Sequence, residues 1–216
     1  MTTYTKAQRE VQEQLATTSL ADGMEQTIVR PDLDAAAVEF IQSRDFFFLS
    51  TVSGAGEPTV SHKGGAVGCV NVLDARTLVF PAYDGNGMQL SLGNIVDTGK
   101  IGLLFMDFVT PHRVRVQASA QVLFEGDEMA RFPGAIAVVV AQIDRAFVNC
   151  ARYIHKYERI ETSRHVPDAT GEQPLAAWKR IDAIHGLLSE QDRQRAASEG
   201  QISAEDYAAA LARGET

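Results

Sequence analysis

The chain reads as α+β, a β core with helices at both ends. Between Phe46 and Val148, short runs of β-branched and aromatic residues are separated by glycine- and aspartate-containing turns. Outside that span the apolar residues recur at intervals of three and four. The composition is compatible with this: 216 residues, 45% hydrophobic and 22% charged, suffice for one sizeable core.

Taken in order, Thr5 to about Leu20 is predicted as a helix. Thr5 with Gln8 has the form of a capping box, and Ala7, Val11 and Leu15 share a face. Its role is a prop against the core or a partner chain, or a lid. A second helix, about Leu33 to Gln42, takes Asp32 as its cap and turns Val38 and Ile41 inward. Phe46 to Val52 is the first strand, and its three leading phenylalanines call for cover on both faces. Gly54 and Gly56 turn it back as a hairpin into Pro58 to Lys63. Cys69 to Leu73 alternates as a half-buried strand with Cys69 an inert, packed thiol, Asp74-Ala75-Arg76 makes a turn, and Thr77 to Phe80 is a strand again. Ile101 to Phe108 is a buried strand ending near Asp107. From Pro111-His112 a long alternating strand runs to Val122, sending Arg113 and Arg115 to one face and Val114 and Val116 to the other. Ala135 to Val148 is the last long strand. Beyond Pro167 and Pro174, Trp178 to Leu188 is predicted as a helix with Trp178, Ile181, Ile184 and Leu188 on one stripe. Two more helices start at the pairs Ser189 with Asp192 and Ser203 with Asp206, the first ending at Gly200.

The formal charge of −8, with no basic run, argues against a dedicated nucleic-acid or polyanion binder. Only Cys69 and Cys150 are present, with no secretory apolar region and no long apolar span, which reads as a reducing cytoplasm and no membrane. Neither a disulfide framework, nor a metal-ligand spacing, nor a Ser-His-Asp arrangement is visible.

The chemistry concentrates after Phe80. Gly85 and Gly87 flank Asn86 and break the preceding strand, and Met88, Leu92 and Ile95 then form a helical stripe, so Asn86 and Gly87 sit where a helix begins. A strand, a glycine-flanked loop and a helix N-terminus present free N–H groups to an anion such as a phosphate. Ser61-His62-Lys63-Gly64-Gly65 is a cationic strand end running into two glycines, able to place Lys63 against the same anion. The plainer alternatives are a solvated strand end at His62 and Lys63, and a simple turn at Gly85-Asn86-Gly87.

One succession of motifs goes further. Phe46-Phe47-Phe48-Leu49-Ser50-Thr51, Pro58 to Gly65, Asp84-Gly85-Asn86-Gly87 with Ser91-Leu92-Gly93-Asn94, Gly102 to Phe108, Arg113-Val114-Arg115-Val116 and Asn149 to Lys156 together resemble the pyridoxamine 5′-phosphate oxidase-like flavin-binding proteins. Within that family the chain is similar to an uncharacterised branch rather than to the vitamin-pathway oxidase. The resemblance spans roughly Thr5 to Pro167. It implies a split β-barrel that dimerises, with an FMN in each of two equivalent clefts built from both chains. With the helices read from the residues, three regions are expected: a helical arm at 1–43, a split-barrel flavin-binding domain at 44–167 and a helical extension at 168–216, one structural domain with appendages.

The resemblance assigns Lys63, Asn86, Gly87, Met88 and Ser91 to the FMN phosphate, counts Ser61 and His62 among the cofactor contacts, with a stacked or water-facing ring as the alternative for His62, and gives Arg113 or Arg115 to the flavin ring. An arginine pair bridging to carboxylates across the dimer is the alternative for the last two. Arg152, Tyr153 and His155 are candidates to hold or protonate a substrate, against a structural network around Asn149 and Arg152. Two departures stand out. Gly85-Asn86-Gly87 replaces a serine and two basic residues of the vitamin-pathway oxidase, which predicts weaker FMN retention, and that enzyme's C-terminal Arg-x-His pattern is absent. The expected activity is hydride transfer at flavin N5 to or from a small organic molecule, with oxygen or a reduced nicotinamide as redox partner. The rivals are a non-catalytic flavin or haem carrier, a deazaflavin-dependent protein and a cofactor-free relative using the same cleft.

Overall fold

In the structure, a computed structural model that describes residues 4–215, the chain divides into two compact units, Met1–Glu161 and Thr162–Thr216. The first opens with two helices, α1 (Lys6–Gln14) and α2 (Thr18–Thr27), in place of the single helix expected from Thr5 to Leu20. Ala16, at φ 53°, breaks the path between them. The capping box is present: Thr5 Oγ1 accepts from the Gln8 N–H, and the Gln8 side chain accepts from the Thr5 N–H. Helix α3 spans Ala35–Gln42, and its cap is Asp34 rather than Asp32, because the Asp34 carboxylate accepts the Ala37 N–H at 2.8 Å.

Seven antiparallel strands follow: β1 (Phe46–Val52), β2 (Pro58–Gly64), β3 (Asn71–Asp74), β4 (Thr77–Ala82), β5 (Lys100–Asp107), β6 (His112–Leu123) and β7 (Ala137–Val148). They form one sheet in the order β2-β1-β5-β6-β7-β4-β3. Helix α4 (Leu90–Thr98) lies between β4 and β5 in the chain, and a short 3₁₀ turn (Asp127–Arg131) precedes β7. The third strand begins at Asn71, two residues later than its alternation predicted, since Cys69 and Val70 are already packed in the core.

The sheet curls. Phe47 on β1 and Phe80 on β4 are separated by three strands in the sheet order, yet their ring centroids lie 5.1 Å apart, and Phe105 on β5 reaches the same ring at 5.5 Å. One core holds Phe47, Leu49, Phe80, Phe105, Val116 and Ile143 together with Leu92 and Ile95 of α4 and Ile41 of α3. An antiparallel sheet rolled around such a core, with helices at its margins, is the architecture a split barrel requires. The period of two decides which side chains enter it: Phe47 is 1% exposed, whereas Phe46 and Phe48 on the outer face are only half-buried, less covered than the three-phenylalanine run suggested.

Helix α4 is tied to β1 by polar contacts as well as apolar ones. Asn94 Nδ2 donates to Thr51 Oγ1 at 3.0 Å, Thr98 Oγ1 donates to the Val52 carbonyl at 3.0 Å, and Asp97 Oδ2 accepts the Gly54 N–H at 2.7 Å. In the turn between β1 and β2, Gly56 sits at φ +85°, where a side chain is strained. At Gly54 a methyl group would come 2.4 Å from Asp97 Oδ2. Gly54→Ala is therefore expected to push the carboxylate off the turn and cost about 1–2 kcal/mol, the worth of a hydrogen bond to a charged group near the surface. Urea denaturation followed by far-ultraviolet circular dichroism checks this, and an unchanged midpoint would contradict the latch.

The second unit contains two 3₁₀ turns (Ala177–Arg180 and Asp182–Leu187) and helices α5 (Glu190–Glu199) and α6 (Ala204–Ala212). The single helix expected over Trp178 to Leu188 is interrupted at Ile181, which is extended and forms a parallel bridge to Ile202. Lys179 is buried, with its Nζ 2.9 Å from Asp192 Oδ2. That contact draws the Asp192 carboxylate away from a reciprocal capping box, leaving Ser189 to cap α5 alone by accepting the Asp192 N–H. Ser203 and Asp206 form the full box at α6, as their spacing predicted. Among the described residues, no helix is long and apolar enough to cross a membrane.

Candidate functional site

The register of the β1–β2 hairpin sets the site. Lys63 lies opposite Phe47 and Ser61 opposite Leu49, so both belong to the face of β2 that looks inward, while His62 lies opposite Phe48 on the other face. Across from β2 stands the segment joining β4 to α4. Thr59, Ser61, Lys63, Tyr83, residues 85–90 and Ser91 line one cleft of about 390 Å³, within the usual range for small-molecule sites.

The local geometry of the loop follows from its residues. Gly87 turns at φ +77° and Gln89 at φ +51°, both left-handed, so the helix starts at Leu90 and not at Met88. Met88 is 63% exposed and stands outside the buried stripe of Ser91, Leu92 and Ile95. Asn86 Oδ1 accepts the Met88 N–H at 3.1 Å, so that amide is already engaged. No side chain caps α4, unlike α1, α3, α5 and α6, so the first amides of α4 keep their donors available, with Leu90, Ser91 and Leu92 bordering the cleft. Ser91, 8% exposed, hydrogen-bonds Ser61 hydroxyl to hydroxyl at 2.8 Å, joining the helix end to the strand.

Lys63 supplies the positive charge. Burial lowers its pKa from the ordinary 10.5, and no carboxylate pairs with it among the described residues. Tyr83 shares the wall, and burial, followed by the neighbouring Cys69 thiol, raises its hydroxyl. Cys69 itself is pushed up to about 12 by burial and then by the Asp45 charge, which agrees with an inert packed thiol. A desolvated cation, two linked hydroxyls and an uncapped helix start form a donor set suited to a phosphate.

Six of the predicted site residues, Ser61, Lys63, Asn86, Gly87, Met88 and Ser91, are brought together here. His62 is not among them; its ring stacks against Phe46 at 5.5 Å and 19° on the outer face. Arg113 and Arg115 stand on β6 opposite Met106 and Leu104, away from the cleft of their own chain, and Arg113 Nε is buried without a hydrogen-bond partner. Arg152, Tyr153 and His155 are exposed in the irregular segment after β7, with Tyr153 at φ +69°. Next to them the exposed Cys150 has its pKa lowered, chiefly by the Arg152 backbone N–H and then by the Arg152 and Arg113 charges. Two further residues of the lining, Tyr83 just before the glycine-flanked loop and Gln89 just after it, carry no local signal that marks them as site residues.

The sheet is an antiparallel one rolled around a core with helices at its margins, and comparison with known proteins gives the family. The family model described as pyridoxamine 5′-phosphate oxidase matches residues 33–169, more than half the chain. The chain belongs to the pyridoxamine 5′-phosphate oxidase family. Among solved structures it is similar to a putative pyridoxamine 5′-phosphate oxidase from Lactobacillus delbrueckii, at 27% identity over 55% of this chain and 95% of that one, with a TM-score of 0.44. An FMN-binding protein from Syntrophomonas wolfei is 16% identical over 65% of this chain and 97% of that one, with a TM-score of 0.43. The haem storage protein HutZ from Vibrio cholerae is 18% identical over 51% of this chain and 89% of that one, with a TM-score of 0.37. No curated protein matches the chain.

Proposed function

We propose that the protein is an FMN-dependent oxidoreductase acting on a small organic molecule. The observation that carries the reading is the desolvated, carboxylate-free Lys63 facing the uncapped start of α4 across the Ser61–Ser91 pair. Lys63, the two serines and the first amides of α4 would hold the phosphate, and Tyr83 would close one wall. When bound, FMN supplies hydride transfer at its N5, with oxygen or a reduced nicotinamide as the partner. The chain's own part is to bind, orient and exclude water. In the homodimer we propose, Arg113, Arg115, Arg152, Tyr153 and His155 serve the neighbour's cleft, since they lie outside their own.

A second reading is favoured by one feature: among the described residues no His, Cys, Asp or Glu lines the cleft, and its titratable side chains are Lys63, assigned here to the phosphate, and Tyr83, so one chain offers more for binding than for proton transfer. That suits a carrier of flavin or haem. An absorbance spectrum of the purified protein, then FMN titration and turnover of reduced nicotinamide, separates the two. Flavin bands with turnover support the enzyme. Saturable binding without turnover on any donor supports the carrier, and a protein that ignores FMN overturns both flavin readings.

A further inference from the structure

On the opposite face of the β1–β2 hairpin from Lys63 lies a second and larger cleft, of about 520 Å³, which the flavin reading does not use. Met106 and Arg44 line it together with three aromatic side chains, Phe46, Phe108 and Tyr157. Phe46 and Phe108 lie with their rings 4° from parallel at 5.9 Å, and Tyr157 meets Phe108 edge-on at 5.4 Å. The segment after β7 covers one side: the Tyr157 N–H donates to the Phe108 carbonyl at 3.1 Å, and Arg159 pairs with Asp45.

The charges of this cleft balance unevenly. Arg44 Nη1 is 2.8 Å from Asp107 Oδ2, and Arg159 is taken by Asp45, so both cations are neutralised within the wall. Burial works to raise the Asp107 carboxyl, but the Thr110 N–H, the Arg44 guanidinium and the Val109 N–H outweigh it and hold the carboxyl below its usual range. Glu158 is left with no partner among the described residues, beside the exposed Tyr157 and the half-buried Phe46 and Phe108, in a chain of net charge −8. Aromatic faces attract cations, and an unpaired carboxylate at the rim adds to that attraction.

We propose that the Phe46–Phe108–Tyr157 cleft binds a planar aromatic cation, its ring against the three aromatic side chains and its positive charge toward Glu158. The site is separate from the phosphate cleft and stands whether or not FMN binds.

The test is a fluorescence titration of the full chain with 9-aminoacridine, a planar cation, alongside anthracene-9-carboxylate, a planar anion of similar shape. Saturable binding of the first and much weaker binding of the second are expected. Tyr157→Ala is expected to weaken 9-aminoacridine about two- to fivefold, the range of one cation–π contact at an exposed site. Glu158→Gln is expected to weaken it about three- to tenfold while leaving the anion's binding unchanged or tighter. Both side chains are exposed, and unchanged circular dichroism shows that the fold survives. No saturable binding, equal affinity for the anion, or affinity unchanged in both variants would overturn the proposal.

Discussion

Lys63→Ala is expected to raise the FMN dissociation constant by about one to two orders of magnitude, the worth of one charge-assisted hydrogen bond of about 1.5–3 kcal/mol. The expected loss is large because, among the described residues, no second cation of the same chain lines the cleft: Gly85, Asn86 and Gly87 stand where basic residues would share the load. Flavin fluorescence titration measures it, with loss of less than about threefold counting against Lys63 as the phosphate contact. The pH dependence has a definite sign. Burial favours the neutral amine, so in the free protein Lys63 starts to lose its proton below 10.5, and FMN affinity falls as pH rises through that lowered value. By the same linkage, the ionised lysine costs the ligand-free fold stability at neutral pH, and that cost is relieved as pH rises past the folded pKa.

Phe47→Ala is expected to destabilise the β unit by about 3–5 kcal/mol, the usual range for deleting a fully buried aromatic ring. Phe47 is 1% exposed and bridges the rings of Phe80 and Phe105, so its removal leaves a hole where the two sides of the curled sheet meet. Phe46→Ala, on the half-buried outer face, is expected to cost less. Urea titration of both variants gives the comparison, and equal losses would contradict the inward assignment of Phe47. Because Phe47 stands directly across from Lys63 in the hairpin register, its loss also slackens the strand that carries the cation.

The β elements were legible from sequence because alternation and turn chemistry are local: β1 appears at the predicted Phe46–Val52, and Arg113/Val114 alternation holds along β6. The misses have physical causes. Trp178, Ile181 and Ile184 are spaced by three, which is the period of a 3₁₀ helix as much as a helical stripe, and the bridge from Ile181 to Ile202 is a contact between distant residues that no local pattern announces. Helix α4 starts two residues later than the Met88–Leu92 spacing predicts, because the left-handed turn at Gln89 has no signature in that side chain. In the site, alternation alone already groups Ser61 with Lys63 and sends His62 to the other face. The Ser61–Ser91 contact spans thirty positions and became visible only with the fold.

The cleft sits where the rolled sheet has no backbone ladder. Strand β2 is an edge, held laterally by β1 alone, and β4 pairs with β3 and β7, so nothing in the hydrogen-bonded order ties β2 to the β4 side. Side chains and α4 reach across that gap, Ser61 of β2 to Ser91 of α4 and, one strand in, Phe47 of β1 to Phe80 of β4. An anion gripped by Lys63 on one bank and by the start of α4 on the other would act as a rivet across an open seam. Its binding energy then becomes mechanical closure of the barrel, and β2, an edge strand with one row of amides unpaired in the sheet, is the strand whose hydrogen exchange loading would slow.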